Sequence, residues 1–143
     1  MGKYVLTEKY IELSNGTKLY QIKAIKSFGN VAKGELGGYI ETMDNLSQIG
    51  NAWVYGNAQV YGDAMVSGNA QVYGDAWVYG NAQVYGNAWV YGDAMVSGNA
   101  QVYGNAWVYG NAQVYGGARV FDNARVYGDA WVYGNAQVSG NAM

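Results

Sequence analysis

The sequence lacks cysteine, proline and histidine among its 143 residues. Without cysteine and histidine the chain has no disulfide, no thiolate nucleophile and none of the usual zinc ligand sets. Charged residues make up 13% of the chain and the formal net charge is −2, so no basic surface for nucleic acid is available. No apolar run reaches the length of a membrane span or of a signal-peptide core. We therefore expect no nucleic acid and no membrane among the partners.

The chain does contain a repeat. From Asn51 to Gly140 the six-residue phrase Asn/Asp-Ala-x-Val-Tyr-Gly recurs fifteen times without a gap, and residues 141–143 begin it again. Residues 1–50 are mixed sequence with a formal charge of +1, whereas residues 51–143 carry −3. This change predicts two parts, a strand-rich leader at 1–50 and a repeat region at 51–143.

The period of six predicts a short strand followed by a corner. Alanine and valine are constant at the second and fourth positions, which is typical of a strand with these residues inward. The opposite register would bury Gln59, Arg119 and Arg125 without partners, at a cost of several kcal/mol each. The Gly-Asn or Gly-Asp pairs tolerate positive φ and fit the corners. Three phrases then complete a triangular coil of 18 residues, and the repeats make about five coils in a rod about 24 Å long.

Two segments carry a resemblance to known proteins. Residues 54–59, Val-Tyr-Gly-Asn-Ala-Gln, resemble the hexapeptide repeat of left-handed parallel β-helix proteins. Residues 36–41, Leu-Gly-Gly-Tyr-Ile-Glu, are similar to the end of the leader in a group of bacterial and phage hexapeptide-repeat proteins. The resemblance implies an all-β fold, a single-stranded left-handed parallel β-helix, and we expect it in the cytoplasm of a bacterial host cell. It implies no activity.

The leader is predicted to cap the rod. Alternating strands around Asn15-Gly16 indicate a β-hairpin with a type I′ turn. The apolar residues Ile22, Ile25 and Phe28 are expected to close over the end of the rod. Residues 39–50 are expected to form an irregular first winding.

The residues that catalysis would need are missing. Many left-handed β-helix proteins are acyltransferases with a histidine base, and a related branch is a zinc carbonic anhydrase with histidine ligands. Because this chain has no histidine, neither role carries over. Ser67, Ser97 and Ser139 replace tyrosine and have no base to activate them. We therefore predict that the chain is not an enzyme and has no cofactor or metal.

The outward positions are the informative ones, because every third phrase falls on the same side of the prism. Side one carries Trp53, Gln71, Trp89, Trp107 and Arg125 beside Tyr55, Tyr73, Tyr91, Tyr109 and Tyr127. Side two carries Gln59, Trp77, Met95, Gln113 and Trp131 beside Tyr61, Tyr79, Ser97, Tyr115 and Tyr133. Side three carries Met65, Gln83, Gln101, Arg119 and Gln137 beside Ser67, Tyr85, Tyr103, Phe121 and Ser139.

Side one is the predicted binding face because it holds eight aromatic residues. Tryptophan and tyrosine dominate binding hot spots, and a large apolar patch is rare on a monomer. Arg125 is expected to lie over Trp107 in a cation–π contact. We predict a structural or protein-binding rod, in its most specific form a phage-encoded factor that blocks a host protein.

Other functions stay open. The alternative is a carbohydrate-binding module that stacks sugar rings on side one. An ice or mineral template fits less well, because all three threonines lie outside the repeats. A disordered low-complexity chain is opposed by the unbroken valine and alanine register.

The other end of the rod is predicted to mediate self-association. An uncapped last coil exposes valines and free strand N–H and C=O groups. With the opposite end blocked by the leader, a closed two-fold dimer is favoured. We therefore expect a tail-to-tail homodimer, with Trp131, Tyr133, Val138, Ala142 and Met143 as its candidate contacts.

Overall fold

The computed structural model of the chain describes residues 2–142. These residues form an all-β parallel solenoid of about six turns with about 18 residues in each turn. Apart from a 3₁₀ helix at Met43–Asn45, the elements within 2–142 are β-strands. The predicted all-β solenoid with coils of 18 residues is confirmed, whereas left-handed winding stays an implication of the resemblance.

Fifteen two-residue strands, β4 to β18, form three parallel ladders that correspond to the three sides. Side one contains β4 (Trp53–Val54), β7 (Gln71–Val72), β10 (Trp89–Val90), β13 (Trp107–Val108) and β16 (Arg125–Val126). Side two contains β5 (Gln59–Val60), β8 (Trp77–Val78), β11 (Met95–Val96), β14 (Gln113–Val114) and β17 (Trp131–Val132). Side three contains β6 (Met65–Val66), β9 (Gln83–Val84), β12 (Gln101–Val102), β15 (Arg119–Val120) and β18 (Gln137–Val138).

The register of each ladder places residues 18 apart directly over one another. Trp89 pairs with Trp107, and Val90 pairs with Val108. The amide of Trp89 donates to the carbonyl of Ala106 at 3.0 Å, one coil further along the chain. The backbone hydrogen bonds of each coil are therefore completed by the neighbouring coil. This is why a single repeat would not be stable alone.

The core is the column of alanines and valines at the second and fourth positions. From Ala52 to Ala124 these side chains are no more than 1% exposed, which confirms the predicted inward register. At the corners the glycines have positive φ, and Asp122 takes the same conformation with φ +58°. The sequence places its constant residues inside and its variable residues outside because only small aliphatic side chains fit the narrow interior.

The leader begins with a β-hairpin of β1 (Tyr4–Glu12) and β2 (Lys18–Ala24), as predicted. The predicted type I′ turn is wrong. Such a turn needs positive φ at two central residues, whereas Gly16 has φ +91° and Asn15 does not have positive φ. Instead, Leu13 accepts from the amide of Gly16 at 2.9 Å and donates to the carbonyl of Thr17 at 2.8 Å. Residues 14–16 therefore form a three-residue hairpin loop, in which a turn is followed by a glycine in the left-handed backbone conformation.

The third leader strand, β3 (Leu36–Ile40), joins the hairpin to side two. It is antiparallel to β2 and parallel to β5, with Ile40 opposite Val60. A Cβ atom added at Gly37 would lie 2.5 Å from the carbonyl oxygen of Val54, so glycine permits this close approach. The hairpin, β3 and the side-two strands thus form one sheet of eight strands.

Residues 41–50 complete a first winding. Leu46 is fully buried and forms a parallel bridge with Val66, at the start of side three. The buried Asn45 amide nitrogen donates to the carbonyls of Gly62 and Ala64 at 3.1 and 2.8 Å. Asn45 therefore satisfies backbone acceptors where the first regular strand of side three would otherwise lack a neighbour.

The leader also closes over the apolar interior, as predicted. Ile22 is fully buried in the same cluster as the valine and alanine columns, and Phe28 packs against that cluster. Ile25 is half-buried. The buried Lys3 ammonium donates to the carbonyl of Ala52 at 2.7 Å. Burial, together with the nearby positive charge of Lys26, lowers the pKa of Lys3 to about 8.

Candidate binding face

Side one presents two parallel ladders of aromatic rings. Along the first, Trp89 and Trp107 stack with centroids 5.0 Å apart and ring planes within 1°. Along the second, Tyr73, Tyr91 and Tyr109 stack at 4.8 and 4.9 Å. The third and fifth residues of each phrase both point outward, so the strand register alone brings these rings together.

The two ladders contact one another edge to face. Tyr73 lies 6.2 Å from Trp89, and Tyr91 lies 6.4 Å from Trp107, with interplanar angles of 72° and 71°. Both geometries belong to the favourable range for aromatic pairs, and each adds about 0.5–1.5 kcal/mol. The rings therefore form a rigid surface whose side chains lose little further freedom when something binds.

The stacking decides which part of each ring faces solvent. Tyr73, Tyr91 and Tyr109 stack so that their ring faces cover one another. Trp89 and Trp107 likewise cover one face of each other. These five side chains are half-buried, so their edges form the outer surface. A sugar that stacks on an aromatic residue needs an exposed ring face, which the internal rings of the tyrosine ladder do not offer. This geometry speaks against the carbohydrate alternative.

Arg125 covers the remaining face of Trp107. Its guanidinium carbon lies 4.4 Å from the ring centroid, which confirms the expected cation–π contact. The stack that begins at Trp89 therefore ends in a positive charge.

Trp53 is not part of the exposed face, and the prediction that it lies there is wrong. Its side chain is fully buried, with Tyr4 at 6.1 Å and Phe28 at 5.3 Å in edge contacts. The leader folds over this end of side one and hides the ring. As a consequence Tyr55, which is half-buried, meets Tyr73 edge to face at 6.2 Å instead of stacking on it.

A model of the YdcK beta solenoid repeat matches residues 58–74, 70–86, 82–98, 88–102, 100–116 and 118–134. Together these segments cover more than half of the chain. The chain belongs to the YdcK beta solenoid repeat family. No curated protein matches it. The predicted solenoid repeat protein is thus confirmed, while the closer resemblance to the phage-containing hexapeptide group stays a prediction.

An asparagine ladder borders side one of this YdcK solenoid, and it was not predicted from the sequence. The side-chain amide nitrogen of Asn69 donates to Asn87, that of Asn87 to Asn105, and that of Asn105 to Asn123, at 3.2 to 3.3 Å. The signal was present, because asparagine occupies this corner in every coil from Asn51 onward. Asn105, Asn123 and Asn141 of this column line a groove of about 470 Å³ together with Trp107 and Arg125.

Two phenols in the tyrosine ladder of the YdcK repeats, those of Tyr73 and Tyr91, have a raised pKa. Burial raises the pKa of Tyr73, and the neighbouring phenols of Tyr91 and Tyr55 raise it further. Burial and Tyr109 raise the pKa of Tyr91, while Arg125 acts in the opposite direction. The face therefore combines aromatic ring edges with the guanidinium group of Arg125.

The residues predicted to form a dimer contact lie in the last coil. Trp131 and Tyr133 are 61% and 57% exposed, and Ala142 is exposed. Tyr127, which was predicted as part of the side-one binding face, is 42% exposed. Val138 is half-buried. Met143 lies outside the described residues. Association through these residues stays a prediction.

Within residues 2–142, no group of three histidine, cysteine, aspartate or glutamate side chains is placed to hold a metal ion. In that same part of the chain no helix has the length and apolar character needed to cross a bilayer.

Proposed function

We propose that this YdcK solenoid is a non-catalytic rod that binds another protein through side one. The observation that supports the proposal is the stacked pair Trp89 and Trp107, flanked by the tyrosine ladder and ended by Arg125. Tryptophan, tyrosine and arginine are the residue types most enriched in binding hot spots. Here they are held in place before any partner arrives, which lowers the entropy that binding loses.

A protein partner fits this face better than a sugar does. The exposed ring edges carry the partial positive charge of the aromatic quadrupole and pack well against carbonyl groups and other rings. The asparagine ladder supplies amide groups at the border, as the polar rim of an interface requires.

In its most specific form the proposal is a phage-encoded factor that occupies a host protein in the bacterial cytoplasm. The support is the resemblance of residues 36–41 and of the repeats to bacterial and phage proteins. The proposal includes a tail-to-tail dimer, supported by the exposure of Trp131 and Tyr133. Light scattering at micromolar concentration should give the mass of a dimer, and a clean monomer mass would contradict this part.

The binding proposal is tested by changing the stacked pair. The double variant Trp89→Gln with Trp107→Gln should fold, because glutamine occupies the same column at Gln71. Affinity capture from a bacterial lysate with the unaltered chain should recover a partner that the double variant loses. The matched control is Trp77→Gln, which removes a tryptophan from side two and should retain the partner.

Two results would contradict the proposal. One is equal recovery by the unaltered chain and the double variant. The other is loss of the partner in all variants, including Trp77→Gln, since this would show a general effect on the rod. Circular dichroism must confirm that each variant keeps its β-sheet spectrum.

A further inference from the structure

The tyrosine ladder of side two is interrupted at one internal position. Tyr61 and Tyr79 stack at 5.1 Å with planes within 4°, and Tyr115 and Tyr133 stack at 5.3 Å with planes within 10°. Between these pairs the chain has Ser97. One ring is therefore missing from a column of five, and Tyr79 and Tyr115 each stack on one outer neighbour only.

The backbone sets the width of the gap. Strand β11 pairs with β8 on one side and with β14 on the other, so the coil that carries Ser97 is in regular register. Two steps between neighbouring strands separate the rings of Tyr79 and Tyr115 by about 9.6 Å. A ring placed midway is about 4.8 Å from each of them, which is the observed separation of Tyr73 and Tyr91 on side one. The gap therefore has room for one flat ring.

Other serines in the same position do not make such a gap. Ser67 belongs to residues 63–74, whose sequence is identical to that of residues 93–104. Its neighbours in the column are Tyr85 on one side and Ser47 on the other, because Leu46 pairs with Val66 in the first winding. The two sequence blocks are identical, yet Ser97 lies between two tyrosine rings whereas Ser67 has a tyrosine on one side only.

The floor of the gap offers a hydroxyl group. The backbone of Ser97 is occupied, since its amide donates to Val114 at 2.9 Å and its carbonyl accepts from Ala100 at 3.2 Å. Within residues 2–142 its side-chain oxygen has no hydrogen bond of its own. A ring that enters from solvent points its leading edge at this oxygen, so a hydroxyl on that edge can bond to it. The thioether of Met95, in the same strand layer, adds a sulfur–aromatic contact.

We propose that side two contains a slot for one aromatic ring of the phenol type, between Tyr79 and Tyr115 and above Ser97. Its walls stack on the two faces of the ring, and its floor bonds to the phenol hydroxyl. The ring can be the side chain of a tyrosine in another protein or a free phenolic compound. The slot is on a different side from the proposed protein-binding face and does not depend on Trp89 or Trp107.

The test is a titration of the full chain with p-cresol, followed by NMR of the methionine methyl groups. The Met95 methyl should shift with saturation, because the aromatic ring current changes beside it. The Met65 methyl lies in the identical sequence block without the second wall and should not shift. Toluene should bind about fivefold more weakly than p-cresol, since it cannot bond to Ser97.

Substitutions at Ser97 make the test specific. Ser97→Tyr should complete the ladder, raise the unfolding temperature and reduce p-cresol binding at least tenfold. Ser97→Ala should keep the slot but remove the preference for p-cresol over toluene. Tyr91→Ser on side one should create a second gap and a second site. The double variant of Trp89 and Trp107 to glutamine should bind p-cresol as the unaltered chain does, which separates this proposal from the proposed function.

The source of the ring is distinguished by comparing p-cresol with N-acetyltyrosine amide. Equal or tighter binding of the blocked tyrosine assigns the slot to a tyrosine of another protein, and much weaker binding assigns it to free phenols. The proposal is overturned if the Met95 and Met65 methyls respond alike, or if neither responds. It is also overturned if folded Ser97→Tyr binds p-cresol as tightly as the unaltered chain.

Discussion

Arg125 lies over Trp107, with its guanidinium carbon 4.4 Å from the ring centroid. The pair is brought together by the parallel register of β13 and β16, which places residue 125 one coil beyond residue 107. The contact is exposed to solvent and should stabilise the rod by about 0.5–1 kcal/mol.

The first prediction therefore concerns the two arginines of the repeats. Arg125→Gln should lower the free energy of unfolding by about 0.5–1 kcal/mol in urea titrations. Arg119→Gln is the matched control, because its partners in the ladder are Gln101 and Gln137 and it lies over no aromatic ring of residues 2–142. Equal losses for the two variants would show that the contact with Trp107 contributes nothing.

The second prediction separates backbone strain from crowding at the corners. Gly92 and Gly128 have similar positive φ, +70° and +64°. A Cβ atom at Gly92 would lie 3.0 Å from the amide nitrogen of Gly110, whereas at Gly128 it would meet nothing within 4 Å. Gly128→Ala should destabilise by about 1–2 kcal/mol from the left-handed conformation alone.

Gly92→Ala should lose clearly more than that, because the backbone of the next coil must also shift. Chemical denaturation of the two variants in parallel measures the difference. A loss at Gly128 as large as that at Gly92 would mean that contact between coils is not what excludes a side chain from these corners.

The third prediction concerns the contact between leader and rod. Trp53→Ala should destabilise the protein by about 3–5 kcal/mol, since it empties a fully buried site between Tyr4 and Phe28. Trp131→Ala removes the same type of side chain where it is 61% exposed, and should cost about 1 kcal/mol or less. Urea titrations followed by circular dichroism compare the two, and a similar small loss for both would contradict the burial of Trp53.

The fourth prediction is the alkaline pH dependence of stability. The pKa of Lys3 falls from its ordinary value of 10.5 to about 8 in the folded chain, because burial and Lys26 disfavour the charged form. Between pH 8 and pH 10.5 the unfolded chain therefore binds more protons at this site, so stability rises with pH. Burial and then Asp44 raise the pKa of Tyr4, so above pH 10 the unfolded chain ionises first and stability falls.

The two effects predict a maximum of stability near pH 10. Unfolding temperatures measured between pH 7 and pH 11.5 should show it. Lys3→Met should abolish the rise between pH 8 and pH 10 while leaving the fall above pH 10. A rise that persists in this variant would assign it to another group.

The regular part of the fold could be read from the sequence because one constraint repeats in every coil. Once valine and alanine are inward, residues 18 apart must align, so the neighbours Trp89 and Trp107 follow from counting. The aromatic stacking and the contact of Arg125 are direct consequences of that register.

The leader could not be read in the same way, because its contacts are between residues distant in sequence and follow no period. Nothing local in the sequence shows that Tyr4 and Phe28 cover Trp53, or that the Lys3 ammonium reaches the Ala52 carbonyl. Trp53 has the same repeat position as Trp89, yet the leader gives it a different environment. The type I′ turn was wrong for a related reason, since a longer loop accommodates Asn15 without positive φ.

The alignment of residues 18 apart has a consequence for how such a gene can change in length. Loss or gain of three phrases removes or adds one coil and leaves every later side chain on its original side. Loss or gain of a single phrase rotates all later coils by one third of a turn, so that Trp107 would leave the column of Trp89. Recombination between the identical blocks at 63–74 and 93–104, which start 30 residues apart, deletes five phrases and so reassigns the sides. We expect the rod to fold in each case, but its aromatic side chains would be distributed differently over the three sides.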